Sequence, residues 1–202
     1  MRDIFEEVLG QGADPVKTAQ QAMKTPLPKR FYKTVEVSET PNGFAVLLDG
    51  KSIKTPARTD LVLPFENTAR LIADEFDAQE TEIDPAKMPA TRLANTALDG
   101  VASDPQAVFE DILKFASSDL LLYRADAPAG LVERQAQTWD PVLDWMRDEL
   151  GANFILAEGI VHIAQPKEAI SVFSASLRAH EDTISLACLH TITSLTGSAM
   201  LA

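Results

Sequence analysis

The hydrophobic pattern changes period near residue 65, and that change limits the chain to a mixed architecture. Upstream, apolar and polar residues alternate, as in "YKTVEVS", where Val35 and Val37 share a face. Phe44, Val46 and Leu48 repeat the alternation, and Ile53 and "DLVLP" carry it to Pro64. Asn42-Gly43 and Asp49-Gly50 punctuate these runs, and such pairs tolerate the positive φ of tight hairpin turns. Downstream, Phe65, Ala69, Ile72 and Phe76 recur at helical spacing. Strands followed by helices predict an α+β fold. We expect a small N-terminal antiparallel β domain over 31–64 and a larger, mainly helical domain over 65–202. A meander of about 35 residues buries too little surface to stand alone, so the sheet must lean on the helices.

Ahead of the strands, residues 1–30 form an N-terminal arm with short helical patterns (Ile4, Val8, Leu9; Val16, Ala19, Met23) that ends in "KTPLPKR". Its two prolines favour an extended linker. In the second half, Leu93, Ala97, Leu98 and Val101 form an apolar stripe, and Asp104-Pro105 opens a helix with an N-cap and a proline at its first position. "DLLLYR" (119–124) suits a buried strand or extended link. Residues 129–150 are helical, and Pro141 either kinks that helix or follows Asp140 as the cap of a new one. "NFILAEGIVHIAQ" resembles a short hairpin around Glu158-Gly159, with His162 on one face. Helices resume at Pro166 and near residue 183.

Charge narrows the choice of partner. Residues 1–64 carry 9 Lys/Arg against 8 Asp/Glu, whereas residues 65–202 carry 9 against 22. An acidic body repels phosphate backbones, which argues against nucleic acid and leaves basic protein surfaces, or solubility alone, as its use. No apolar run is long enough for a membrane span, so membrane insertion is not expected. The acidic start "MRDIFEEVLG" lacks the pattern of a secretory signal, and a single cysteine suits a reducing compartment. These features predict a soluble, cytoplasmic protein.

Motifs for bound groups fail on spacing. "DGKS" (49–52) imitates the end of a phosphate-binding loop, but Ala45 stands where that loop needs glycine. "GQG" (10–12) is followed by Pro15 where a dinucleotide fingerprint needs its third glycine. His162, His180 and His190 lack the three- or four-residue separations of helical metal ligands, so neither metal nor cofactor is expected. Cys188 and His190, two apart on a predicted helix, diverge by roughly 200° and cannot act as a nucleophile and its base. Ala187, Thr191, Ser194 and Ser198 instead suggest a small-residue packing ridge on a helix that reaches the last residue, Ala202.

Two polar groups remain, "ATRLANTALDG" (90–100) and "SSDLLLYR" (117–124). Arg92, Asn95, Asp99, Asp119 and Arg124 sit among apolar residues and serve either as a structural ion-pair network or as the wall of a binding cleft. Trp139 and Trp145, in "WDPVLDW", add an aromatic anchor to that choice. The candidate partner-binding residues are therefore Arg92, Asp119, Arg124, Trp139 and Asp140.

"RFYKTVEV", "GFAVLLDGKSIKTPAR", "MPATRLANTALDGVA", "SSDLLLYRADAPAGLVERQAQTWDPVLDW" and "LHTITSLTGSAMLA", taken in order, resemble the assembly chaperones of the F-type ATP synthase catalytic head. That family is shared by alpha-proteobacteria and mitochondria, where its eukaryotic members occupy the matrix. The resemblance implies a small β domain, a larger helical domain, no catalysis, and a monomer that holds the free alpha subunit until beta arrives. Phe76 stands where the family usually has tryptophan. Family members also continue beyond "LTGSAMLA" with a helical stretch and an acidic tail, so a trimmed or short chain with a frayed or covered end is expected. The absence of an Arg-rich leader favours a bacterial member. Two other classes stay open: a small-molecule hydrolase using Cys188 or a cleft near Arg92 and Asp119, and an interaction module with another client.

Overall fold

The computed structural model describes residues 27–159 and 161–202. The reading of residues 1–26 as an arm lies outside the described residues. Pro28 and Arg30 run beside Thr81–Ile83, where Ile83 N–H donates to Pro28 O at 2.8 Å and Arg30 N–H to Thr81 O at 2.9 Å.

The β unit forms as the alternation requires. Strands β1 (Val35–Thr40), β2 (Gly43–Leu48), β3 (Lys51–Ser52) and β4 (Val62–Leu63) make one antiparallel sheet in which β2 pairs with the other three. Asp49 (φ 48°) and Gly50 (φ 76°) both adopt left-handed geometry, as a two-residue hairpin turn demands. The Asp49 carboxylate accepts the Lys33 and Thr34 amides at 2.9 and 2.8 Å and so locks β1 to this turn. The first turn is shifted by one residue from expectation. Thr40 pairs with Gly43, so Pro41-Asn42 forms the turn, and Gly43 (φ 131°) sits where β4 crosses closely.

Helix α1 (Glu66–Asp77) covers the sheet with Ala69, Ile72 and Phe76, which join Tyr32, Val46, Leu61 and Leu63 in a first core. Helix α2 (Pro89–Asn95) continues through a π-turn (Thr96–Gly100). The Glu75 carboxylate accepts the Ala90 and Thr91 amides at 2.7 and 2.8 Å, capping α2 from the neighbouring helix. This stretch joins two cores. Ala94 and Leu98 face the sheet side, while Leu93, Ala97 and Val101 face the helices.

The second core is built by α3 (Pro105–Ser117), α4 (Ala129–Trp145), α5 (Lys167–Leu177) and α6 (Thr183–Thr196). Asp104 caps α3 through Ala107 N–H at 3.0 Å, and Asp182 caps α6 through Ser185 N–H at 2.9 Å. Helix α4 runs unbroken through Pro141 and buries none of its side chains fully. Asp140 therefore caps nothing.

Three local expectations change. "DLLLYR" is a single turn (Leu120–Leu122) followed by the two-residue strand β5 (Tyr123–Arg124). The segment expected to form a hairpin instead contributes β6 (Ala157–Glu158), which pairs in parallel with β5. Helix α6 stops at Thr196, where Gly197 (φ 73°) caps it, and Ser198, Ala199 and Met200 turn back into the core. Its buried face is Leu186, Ala187 and Thr193, and Thr191 and Ser194 of the expected ridge are exposed.

Candidate partner-binding site

The chain turn at 119–124 depends on two charged groups that water scarcely reaches. Asp119 is fully buried, and its Oδ1 accepts Leu121 N–H at 3.0 Å while its Oδ2 accepts Met200 N–H at 3.1 Å. Burial pushes its carboxyl above the usual range, and the Ser198 hydroxyl with the Leu121, Met200 and Ala199 amides opposes that rise.

Arg124, 9% exposed, holds the other side. Its Nε donates to Leu121 O at 2.8 Å, its Nη1 lies 2.7 Å from Asp140 Oδ1, and its guanidinium carbon stands 5.4 Å from the Trp139 ring centre. Gln135 accepts Ala125 N–H at 2.8 Å, tying the same strand to α4. The structure thus brings Arg124, Trp139 and Asp140 together on α4 and β5. Trp139 and Asp140 remain half-exposed there, so a partner can reach them.

The other charged candidates separate. Arg92 is exposed on α2 and makes no ion pair among the described residues. Asp99 turns towards the sheet, accepting the Thr55 hydroxyl at 2.6 Å and Ala57 N–H at 3.0 Å. The Thr55 bond is the largest influence holding its carboxyl below the usual range.

Cys188 and His190 do not cooperate. His190 Nε2 lies 3.1 Å from Asp111 Oδ2 on α3, and burial raises the Cys188 thiol above its ordinary value, with Asp182 adding to the rise. His162 is exposed, with Nδ1 3.0 Å from the Tyr123 hydroxyl. Asp111 escapes sequence reasoning because it lies 79 positions from His190. Sequence reasoning also misses Gln165, whose amide accepts Ile155 N–H at 2.8 Å and donates to Ile155 O at 2.9 Å. Among the described residues, no group of three acidic, histidine or cysteine side chains converges to hold a metal, and no helix is long and apolar enough to cross a membrane.

Residues 29–147 match the sequence model of a family described as ATP12 chaperone protein. The chain is 25% identical over 157 residues to the mitochondrial protein atp12 of Schizosaccharomyces pombe, a match that covers 71% of this chain. It spans about half of that relative, 54% of its length. Among solved structures, Atu1473 protein from Agrobacterium tumefaciens is 55% identical with a TM-score of 0.84, over 97% of this chain and 73% of that one. Atp12 from Paracoccus denitrificans is 38% identical with a TM-score of 0.81, over 86% of this chain and 74% of that one.

Proposed function

The chain belongs to the ATP12 chaperone family, and from that premise we propose that it is an assembly chaperone of the F-type ATP synthase catalytic head. Its client is the free alpha subunit, which it holds until the beta subunit replaces it. The family match over residues 29–147 carries this reading.

The surface supports it. A free subunit of a ring exposes the faces that its neighbours later cover, and such surface aggregates. This chain offers acidic charge from residue 65 onward together with uncovered apolar side chains, among them Phe65 at the start of α1 and Leu195 on α6, 68% and 82% exposed. The Arg124–Trp139–Asp140 corner and Arg92 supply polar and aromatic contacts, and Asp119 positions that corner from beneath. The action is binding without catalysis, by a monomer, and without metal or cofactor. A bacterial cytoplasm is the setting we assign.

Purified alpha subunit, diluted from denaturant with and without this protein, tests the reading by light scattering and size-exclusion chromatography. Suppressed scattering and a co-eluting complex are expected. Unchanged scattering with no complex overturns it.

A further inference from the structure

A groove of about 280 Å³ lies between α4 and the extended segment 152–156. We propose that it docks a polypeptide segment that carries an arginine or lysine flanked by apolar side chains. The groove selects the chemistry of its occupant, whichever protein supplies it.

The lining sets that chemistry. Leu143, Phe154 and Leu156 provide apolar wall, and Asp140, Asp144 and Arg147 provide the polar part. Asp140 uses Oδ1 for Arg124 and Asp144 uses Oδ1 for Arg147, each at 2.7 Å, and neither Oδ2 has a partner among the described residues. Arg147 also meets Asp148 at 2.9 Å, so its charge is divided between two carboxylates. Across residues 124–165, Arg124 included, the sequence holds seven acidic residues against three arginines and no lysine. A neutral apolar partner would desolvate Asp140 and Asp144 without replacing water. A phosphate-bearing partner would be repelled. A guanidinium or ammonium group satisfies the free carboxylate oxygens, and its aliphatic stem and neighbours cover the apolar wall.

The groove is already shaped. The Gln165 amide closes both backbone groups of Ile155, and Ala152 N–H donates to Met146 O at 3.0 Å. Arg124 fixes Asp140 from behind. Little ordering is then needed on binding, which favours affinity from a small contact. Ile155 and Leu156 stay 45% and 44% exposed, and α4 buries none of its side chains fully, so the apolar surface extends beyond the groove itself.

Isotope-labelled protein titrated with the peptide Leu-Arg-Leu-Lys-Leu, and separately with Leu-Glu-Leu-Asp-Leu, tests the proposal by amide NMR shifts. The basic peptide is expected to produce saturable shifts at Leu143, Asp144, Phe154 and Leu156, and the acidic one none. Asp144→Asn removes a half-exposed charge without disturbing Arg124, and is expected to weaken binding roughly fivefold or more. Leu156→Ser is expected to weaken it as well, with the remaining spectrum unchanged. Shifts scattered over the acidic surface, equal response to both peptides, no binding, or full affinity in Asp144→Asn would each overturn it.

Discussion

Asp119 accepts the backbone amide of Met200 at 3.1 Å, across 81 positions of sequence, from a site that water does not reach. With its second oxygen on Leu121 N–H, the carboxylate fastens the end of the chain to the turn before β5. Replacing Asp119 with alanine orphans two buried donors, each worth roughly 1–3 kcal/mol when left unpaired. A loss of about 2–4 kcal/mol is expected in urea unfolding, since water reoccupies part of the site. Hydrogen exchange at Met200 should accelerate first. The folded carboxyl titrates above its unfolded value, so the extra stability of its protonated form is full below the unfolded pKa and is lost as pH rises through the folded one. Asp119→Asn should flatten that part of the stability profile.

Asp99 carries the opposite sign. Its bonds to the Thr55 hydroxyl and Ala57 N–H hold the folded carboxyl low, so its contribution is present above the unfolded pKa and is lost as pH falls through the folded one. Thermal melts of the native protein and Asp99→Asn are expected to differ at neutral pH and to converge in acid. Because Thr55 is buried at the joint between sheet and helices, a difference that persists undiminished into acid would remove the electrostatic explanation.

The α+β division was legible because two periods of hydrophobicity are local signals. The Asp104-Pro105 start, the Asp49-Gly50 turn and the face Ala69, Ile72 and Phe76 all follow from spacing within a few residues. Elements decided by distant partners were not legible. Ala157 and Glu158 pair with Tyr123 and Arg124, so their nearest chain neighbours hold no sign of that parallel ladder. In the site, charge among apolar neighbours pointed to Asp119 and Arg124, but only folding puts Asp140 and Trp139 beside Arg124. It also sends Asp99 away to Thr55, splitting what looked like one network. The apolar run at the end hid a helix stop, since Gly197 sits within it and Met200, beyond the stop, is still buried.

Gly43 tests the register of the sheet. Its φ of 131° is outside the range that side chains accept, and a Cβ would collide with the carbonyl oxygen of Leu63 on β4. Gly43→Ala is expected to cost about 2–4 kcal/mol, from backbone strain and displacement of β4 together. Gly50→Ala has the same handed strain with open space around it, and should cost less, roughly 1 kcal/mol. Equal losses in denaturant melts would show that contact with β4 contributes nothing.

Cys188 decides whether any thiol chemistry belongs to this chain. A reactive cysteine needs a lowered pKa and a base within reach. Here burial raises the thiol, Asp182 adds to the rise, and His190 is engaged with Asp111 at 3.1 Å. Alkylation by iodoacetamide near neutral pH is therefore expected to be slower than for free cysteine. Denaturation should abolish the difference. Cys188→Ser should leave the proposed client protection intact and shift stability by only about 1 kcal/mol or less, because the side chain is half-buried and isosteric. Rapid alkylation of the native protein, or loss of client protection in Cys188→Ser, would instead return the thiol to the functional surface.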